Sequence, residues 1–113
     1  MLFRSNLADF QLVLDSGVTI QAVNDGGYTM DPQESINYVS VHDNQTFWDR
    51  INDGSTVPDD ATIDERVRMQ VQAHSMVFLS QGVPFMHMGS EILRSKSLMG
   101  NSYNAGDWFN YVD

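Results

Sequence analysis

One long helical pattern flanked by two short apolar runs is the feature that most restricts the folds open to this chain. Ile36, Tyr38, Val39 and Val41 make the first run, bounded by Asp31-Pro32 and by His42-Asp43-Asn44, as in a buried strand. Val83-Pro84-Phe85-Met86-His87-Met88 makes the second, with Pro84 at its start, where a strand tolerates a missing donor. Between them, residues 63–80 carry Val67, Val71, Ser75 and Phe78 on one side with Met69, Ala73, Met76 and Leu79 nearby, the spacing of a helix with a wide buried face. Arg66, Arg68, Gln70 and Gln72 make its first half polar, so the apolar second half is expected to be sandwiched. Thr62 and Glu65 predict a capping box at its start, and Gly82 a left-handed stop at its end. Two strands joined by a long helix predict a parallel βαβ unit with a right-handed crossover, and hence an α/β fold.

The rest of the chain reads as connection. Gln11-Leu12-Val13-Leu14 and Val18-Thr19-Ile20, separated by Asp15-Ser16-Gly17, suggest two extended pieces around a turn. Asn24-Asp25-Gly26-Gly27 breaks any regular element before the first marked strand. After that strand, Gln45 to Ile51 reads as a turn and short helix with Asn44 as its cap, and residues 52–61 as a loop. From Arg94 to Asn110 the chain is polar and aromatic without a period, a loop carrying side chains.

Charge and composition exclude several classes of function. With 113 residues and 42% hydrophobic content the chain can build one small domain with a modest core. Six Lys and Arg against fifteen Asp and Glu give a net charge of -9, which works against nucleic acid and anionic membrane as partners. The acidic residues concentrate between Asp49 and Glu65, where a solvated loop and helix start is the expected reading. Cysteine is absent, so disulfides, thiolate zinc sites and cysteine nucleophiles are excluded. No window has the length of a membrane helix or of a signal peptide's apolar stretch, so no localisation follows from this chain.

Functional groups of α/β folds sit at the carboxyl ends of strands, which singles out His42 and Asp43 after the first run and Glu91 after the second. With an arginine and a tail rich in Tyr, Trp, Phe and Asn, these suit a carbohydrate, whose hydroxyls need polar partners and whose apolar faces need aromatic planes. From the residues alone, Asp43 and Glu91 can be the acid and nucleophile of a glycoside hydrolase. Equally, His42 and Asp43 can do no more than cap and hydrogen-bond a turn. A metal set of His42, Asp43 and His87 is the weaker alternative, because no helical pair at ligand spacing accompanies it.

Tyr38-Val39-Ser40-Val41-His42-Asp43-Asn44 resembles the fourth conserved region of the α-amylase clan of glycoside hydrolases. Asn6-Leu7-Ala8-Asp9-Phe10, Tyr28 to Pro32, Arg66-Val67-Arg68-Met69-Gln70, Gly89-Ser90-Glu91, Arg94-Ser95-Lys96-Ser97 and Ser102 to Asn110 resemble segments of bacterial type I pullulanases, starch-debranching enzymes, in the same order. The resemblance implies that residues 1–113 are the carboxyl-terminal portion of a (β/α)8 TIM barrel. The strand ending at Val41 is then the seventh, that beginning near Val83 the eighth, and the whole is incomplete as a standalone domain. It further implies retaining hydrolysis of α-1,6-glucosidic bonds in pullulan, starch and glycogen-derived α-glucans.

On that resemblance Asp43 is the carboxylate that stabilises the transition state and His42 a hydrogen-bonding partner of the glucose at the point of cleavage. Arg94, Tyr103, Asn104 and Asp107 line neighbouring sugar subsites, and Glu91 is structural or at the site's edge. The family's nucleophile and acid/base come from strands that nothing here matches, so the chain alone is expected to be inactive. Its expected partners are an α-glucan and the upstream strands of the barrel. No cofactor or metal is assigned to its residues; calcium binding and export to the cell surface or beyond stay open for a longer parent. A standalone, noncatalytic α-glucan-binding or interaction module is the alternative.

Overall fold

The computed structural model describes residues 11–21, 27–41 and 43–112. The described residues divide into two units, one drawn from the chain up to Asn37 together with Met76–Phe85, the other from Tyr38–Ser75 together with residues 86–112.

In the first unit, β1 (Gln11–Val13) pairs antiparallel with β2 (Thr19–Gln21), Val13 opposite Thr19, so the expected hairpin forms. Its turn closes through Leu14 N–H to the Val18 carbonyl and Gly17 N–H to the Leu14 carbonyl, both 2.8 Å. Gly17 takes a φ of 79°, which a side chain disfavours. After a 3-10 turn at Pro32–Glu34 comes β3 (Ile36–Asn37), which pairs parallel with β4 (Val83–Pro84), as the βαβ pattern predicts. The Val83 N–H donates to the Ser35 carbonyl at 2.8 Å and the Phe85 N–H to the Asn37 carbonyl at 2.9 Å. Pro84 falls between these two donors, where its missing N–H faces away from β3 and costs the ladder nothing.

Both strands are shorter than their apolar runs, which extend to Val41 and Met88, and they are not buried: Ile36 is 57% exposed. Among the described residues no further strand flanks the pair, so nothing there extends its ladder. What holds it is a polar clasp that the apolar pattern does not signal. The Asn37 side-chain amide donates to the Gln81 carbonyl at 2.6 Å and to Ser80 Oγ at 3.1 Å, tying β3 to the end of the long helix. Gly82, with φ 117°, passes so close that a Cβ there would lie 2.5 Å from Asn37 Nδ2 and 2.9 Å from the Ser35 carbonyl oxygen.

The long helix, α2 (Ile63–Leu79), begins at the expected capping box: Glu65 N–H donates to Thr62 Oγ1 at 3.3 Å, and Thr62 N–H to the Glu65 carboxylate at 2.8 Å. Its burial differs from the expected pattern. Val77 is buried in the first unit, but Val71, Phe78 and Leu79 are exposed, while Gln70, on the supposedly polar half, is buried in the second. Seventeen residues make a rod of about 25 Å, and a pair of two-residue strands is too short to cover it.

In the second unit, α1 (Phe47–Asn52) is capped by Thr46 and not by Asn44, whose backbone is left-handed with φ 58° and so cannot lead directly into a helix. The core here is small, with Ile51 and Val57 buried, and Arg66 braces it. Its guanidinium donates to the carbonyls of Ala61 (3.1 Å), Pro58 (3.0 Å) and Ile51, holding residues 52–61 against α2.

We expect Gly82→Ala to lower the urea midpoint of the chain by an amount equivalent to more than about 1 kcal/mol, because strained φ and a blocked strand clasp add. Gly17→Ala, whose Cβ meets nothing within 4 Å, should cost less. Equal midpoints for the two variants, followed by circular dichroism, would contradict the clasp.

Candidate functional site

Asp49 is the residue around which the second unit's polar structure is arranged. It sits in the first turn of α1, is 1% exposed, and completes a capping box with Thr46: Asp49 N–H donates to Thr46 Oγ1 at 3.1 Å and Thr46 N–H to the Asp49 carboxylate at 3.4 Å. The same carboxylate accepts the Ser95 hydroxyl and the Lys96 N–H, the latter at 2.8 Å, from 46 and 47 residues further on. Ser95 Oγ in turn accepts the Ser97 N–H at 2.9 Å. The expectation of a solvated acidic stretch from Asp49 to Glu65 therefore fails at its first residue. The carboxylate goes inside because the N–H groups of Thr46 and Lys96 and the Ser95 hydroxyl replace its water.

Lys96 is equally buried, at 1% exposure, and its ammonium donates to the Asn44 carbonyl at 3.1 Å. Burial and the neighbouring Arg94 cation hold its pKa below the usual lysine value, while the Asp43 and Asp49 carboxylates oppose that shift. Asp43 thus stands in the field of a buried cation, with its own side chain exposed on the turn leading to α1. His42 lies outside the described residues.

Arg94 is half-buried and occupied. Its Nη atoms donate to the Asn110 carbonyl at 2.8 Å and the Met88 carbonyl at 3.3 Å, and one lies 3.0 Å from His87 Nε2. Arginine has no lone pair to offer, so His87 accepts through Nε2. Glu91 is exposed.

The Asn110 side chain closes the loop behind it, its amide donating to the Ser102 carbonyl at 2.9 Å and its Oδ1 accepting the Ser102 hydroxyl at 2.8 Å. Tyr103, Asn104 and Asp107 project from that loop, Tyr103 being 96% exposed. A recess of about 580 Å³ lies beside it, lined by Leu93, Arg94, Ser95, Ser97, Trp108 and Tyr111 among others; Tyr103, Asn104 and Asp107 are not in its wall. An exposed indole and phenol beside a guanidinium and two hydroxyls form a surface able to stack on and hydrogen-bond a sugar.

Sequence reasoning overlooked Asp49 and Lys96. The Thr46-x-x-Asp49 spacing signals a capping box, but nothing local reveals that the same carboxylate takes two donors from residues 95 and 96.

No family model matches the chain. Pullulanase from Klebsiella aerogenes is 47% identical over 114 residues, covering 96% of this chain, and chloroplastic pullulanase 1 from Arabidopsis thaliana is 47% identical over 116 residues with the same coverage. The chain is pullulanase-related. The crystal structure of Klebsiella pneumoniae pullulanase complexed with maltotriose superposes with a TM-score of 0.87 at 46% identity over 98% of this chain. The relationship to these glycoside hydrolases covers a limited part of them: the chain spans 10% of the K. aerogenes pullulanase, 12% of the A. thaliana one and 11% of the K. pneumoniae chain.

Two outcomes test this geometry. Asp49→Asn should destabilise the chain by roughly 2–3 kcal/mol, since charge-assisted bonds weaken and the new amide donors oppose N–H groups; a urea midpoint within error of the parent would refute it. A lysine with a lowered folded pKa binds its proton more tightly when unfolded, so its contribution to stability rises as pH climbs through the folded value toward 10.5. Arginine does not titrate there. The unfolding free energy of the parent minus that of Lys96→Arg should therefore increase over that window, and a flat difference would contradict the shift.

Proposed function

We propose that the chain is the carboxyl-terminal portion of a pullulanase-type (β/α)8 barrel, with β3 and β4 as its seventh and eighth strands and α2 between them. In this reading it contributes Asp43 to retaining hydrolysis of α-1,6-glucosidic bonds. The observation that carries it is 46–47% identity along nearly the whole chain, together with the close superposition on a pullulanase bound to maltotriose. The parallel β3–β4 pairing and the unextended strand edges agree with a unit that pairs with further strands.

The chemistry follows from charge. In a retaining glycosidase a carboxylate attacks the anomeric carbon as an acid protonates the departing oxygen, and positive charge builds on the sugar ring between the two events. Asp43 faces that charge and binds it more strongly than the neutral ground state, which lowers the barrier. His42 hydrogen-bonds the hydroxyls of the same glucose. Arg94, Tyr103, Asn104 and Asp107 belong to the adjoining sugar contacts; Tyr103, Asn104 and Asp107 are free to reach a glucan from their loop, whereas Arg94 supports that loop from behind. The nucleophile and the acid come from the upstream strands that are this chain's partners, and no cofactor enters the step.

The test is a chimaera in which this chain replaces the matching segment of the K. aerogenes pullulanase. It should hydrolyse pullulan, and Asp43→Asn should reduce kcat by about a hundredfold to a thousandfold while KM stays within about threefold. The chain alone should release no reducing sugar. An Asp43→Asn chimaera with undiminished kcat would reject the catalytic reading, and maltotriose binding by the chain alone would then favour a noncatalytic glucan-binding module.

A further inference from the structure

We propose that Lys96 is a positioning residue for Asp43, gripping from inside the fold the turn on which that carboxylate stands. The inference rests on the reading of Asp43 given under Proposed function.

A lysine 1% exposed is unusual, because removing an ammonium from water is costly unless fixed partners replace the water. One such partner is the carbonyl of Asn44, the residue next to Asp43, at 3.1 Å. Asn44 is left-handed at φ 58°, a conformation asparagine adopts more readily than most other non-glycine residues, and the ammonium holds its carbonyl in place. Two residues later, the Thr46 N–H is held by the Asp49 carboxylate, which also accepts the backbone N–H of Lys96. The turn from Asp43 to Thr46 is therefore fixed at both ends by one residue: its ammonium at Asn44, and its N–H through Asp49 at Thr46.

The segment that delivers Lys96 is itself held in costly geometry. Ser97 and Leu98 have φ of 52° and 64°, and with Leu93 and Asn44 they are the non-glycine residues of positive φ among the described ones. Strained backbone persists where neighbouring contacts over-determine it. In this unit those contacts converge on Asp49 and Asn44, on the turn that carries Asp43, and not on the helix core. The Asp43 and Asp49 carboxylates favour the charged form of the Lys96 ammonium, and Arg94 opposes it. A transition-state carboxylate loses its advantage when it must reorganise, and small displacements are expensive.

A structural role and a positioning role separate in the chimaera. Lys96→Met should lower kcat on pullulan by about thirtyfold or more with KM within about threefold. It should weaken binding of a cationic iminosugar, whose charge imitates the transition state, by about tenfold while maltotriose binding stays within about threefold. Lys96→Arg, which keeps the charge, should recover part of the loss. In an Asp43→Asn background, Lys96→Met should no longer affect iminosugar binding. Unchanged kcat, equal loss of iminosugar and maltotriose binding, or an undiminished effect in the Asp43→Asn background would each overturn the proposal. If Lys96→Met does not fold, Lys96→Gln takes its place with the same readouts; failure of both to fold makes the role structural and rejects the inference. Loss of kcat on Asp43→Asn alone reports on the Asp43 reading separately.

Discussion

The buried carboxylate of Asp49 is the interaction on which the second unit depends. One side chain closes the first turn of α1 and accepts the Lys96 N–H and the Ser95 hydroxyl, joining two stretches almost fifty residues apart. An apolar residue there would leave the N–H groups of Thr46 and Lys96 without acceptors in a region closed to water, each costing about 1–3 kcal/mol. A charge in the interior is thus the less expensive solution, provided fixed donors replace its water. The Ser95 hydroxyl is the third of these donors, and it accepts the Ser97 N–H as well.

A polar stripe on α2 does for the surrounding loops what an apolar face does in a larger domain. Arg66, Gln70 and His74 follow one another at four-residue spacing and so share a face. Arg66 holds three carbonyls, Gln70 donates to the Ser90 carbonyl at 3.0 Å, and the His74 ring lies edge-on to Phe47 with centroids 6.5 Å apart. Loops have carbonyls to offer and few apolar side chains, so an arginine and a glutamine organise them better than leucines would. Several large apolar residues stay in water: Phe78, Leu79, Ile36 and Val83 in the first unit and Val71 in the second.

Local sequence marked several elements correctly. The Thr62–Glu65 capping box, the Gly17 turn, the glycine after α2 and the parallel pairing of the two apolar runs all follow from interactions between residues close in sequence or from the handful of topologies a strand, helix and strand allow. The same reasoning failed where a side chain's partner is remote. Asn44 reads as a cap by residue type, yet Thr46 is the cap because its hydroxyl meets Asp49. Gln70 reads as surface, yet it is buried against Ser90.

By itself, the sequence determined the helix and its ends, the hairpin turn, the order strand, helix, strand, and the acidic, cysteine-free character of the chain. Each of these depends on backbone preference or on net composition, which are local or additive. Only the tertiary structure decided which charges went inside. The free energy of burying Asp49 and Lys96 depends on whether donors and acceptors from residues 44, 46, 95 and 96 arrive together, and that is a property of the folded chain as a whole.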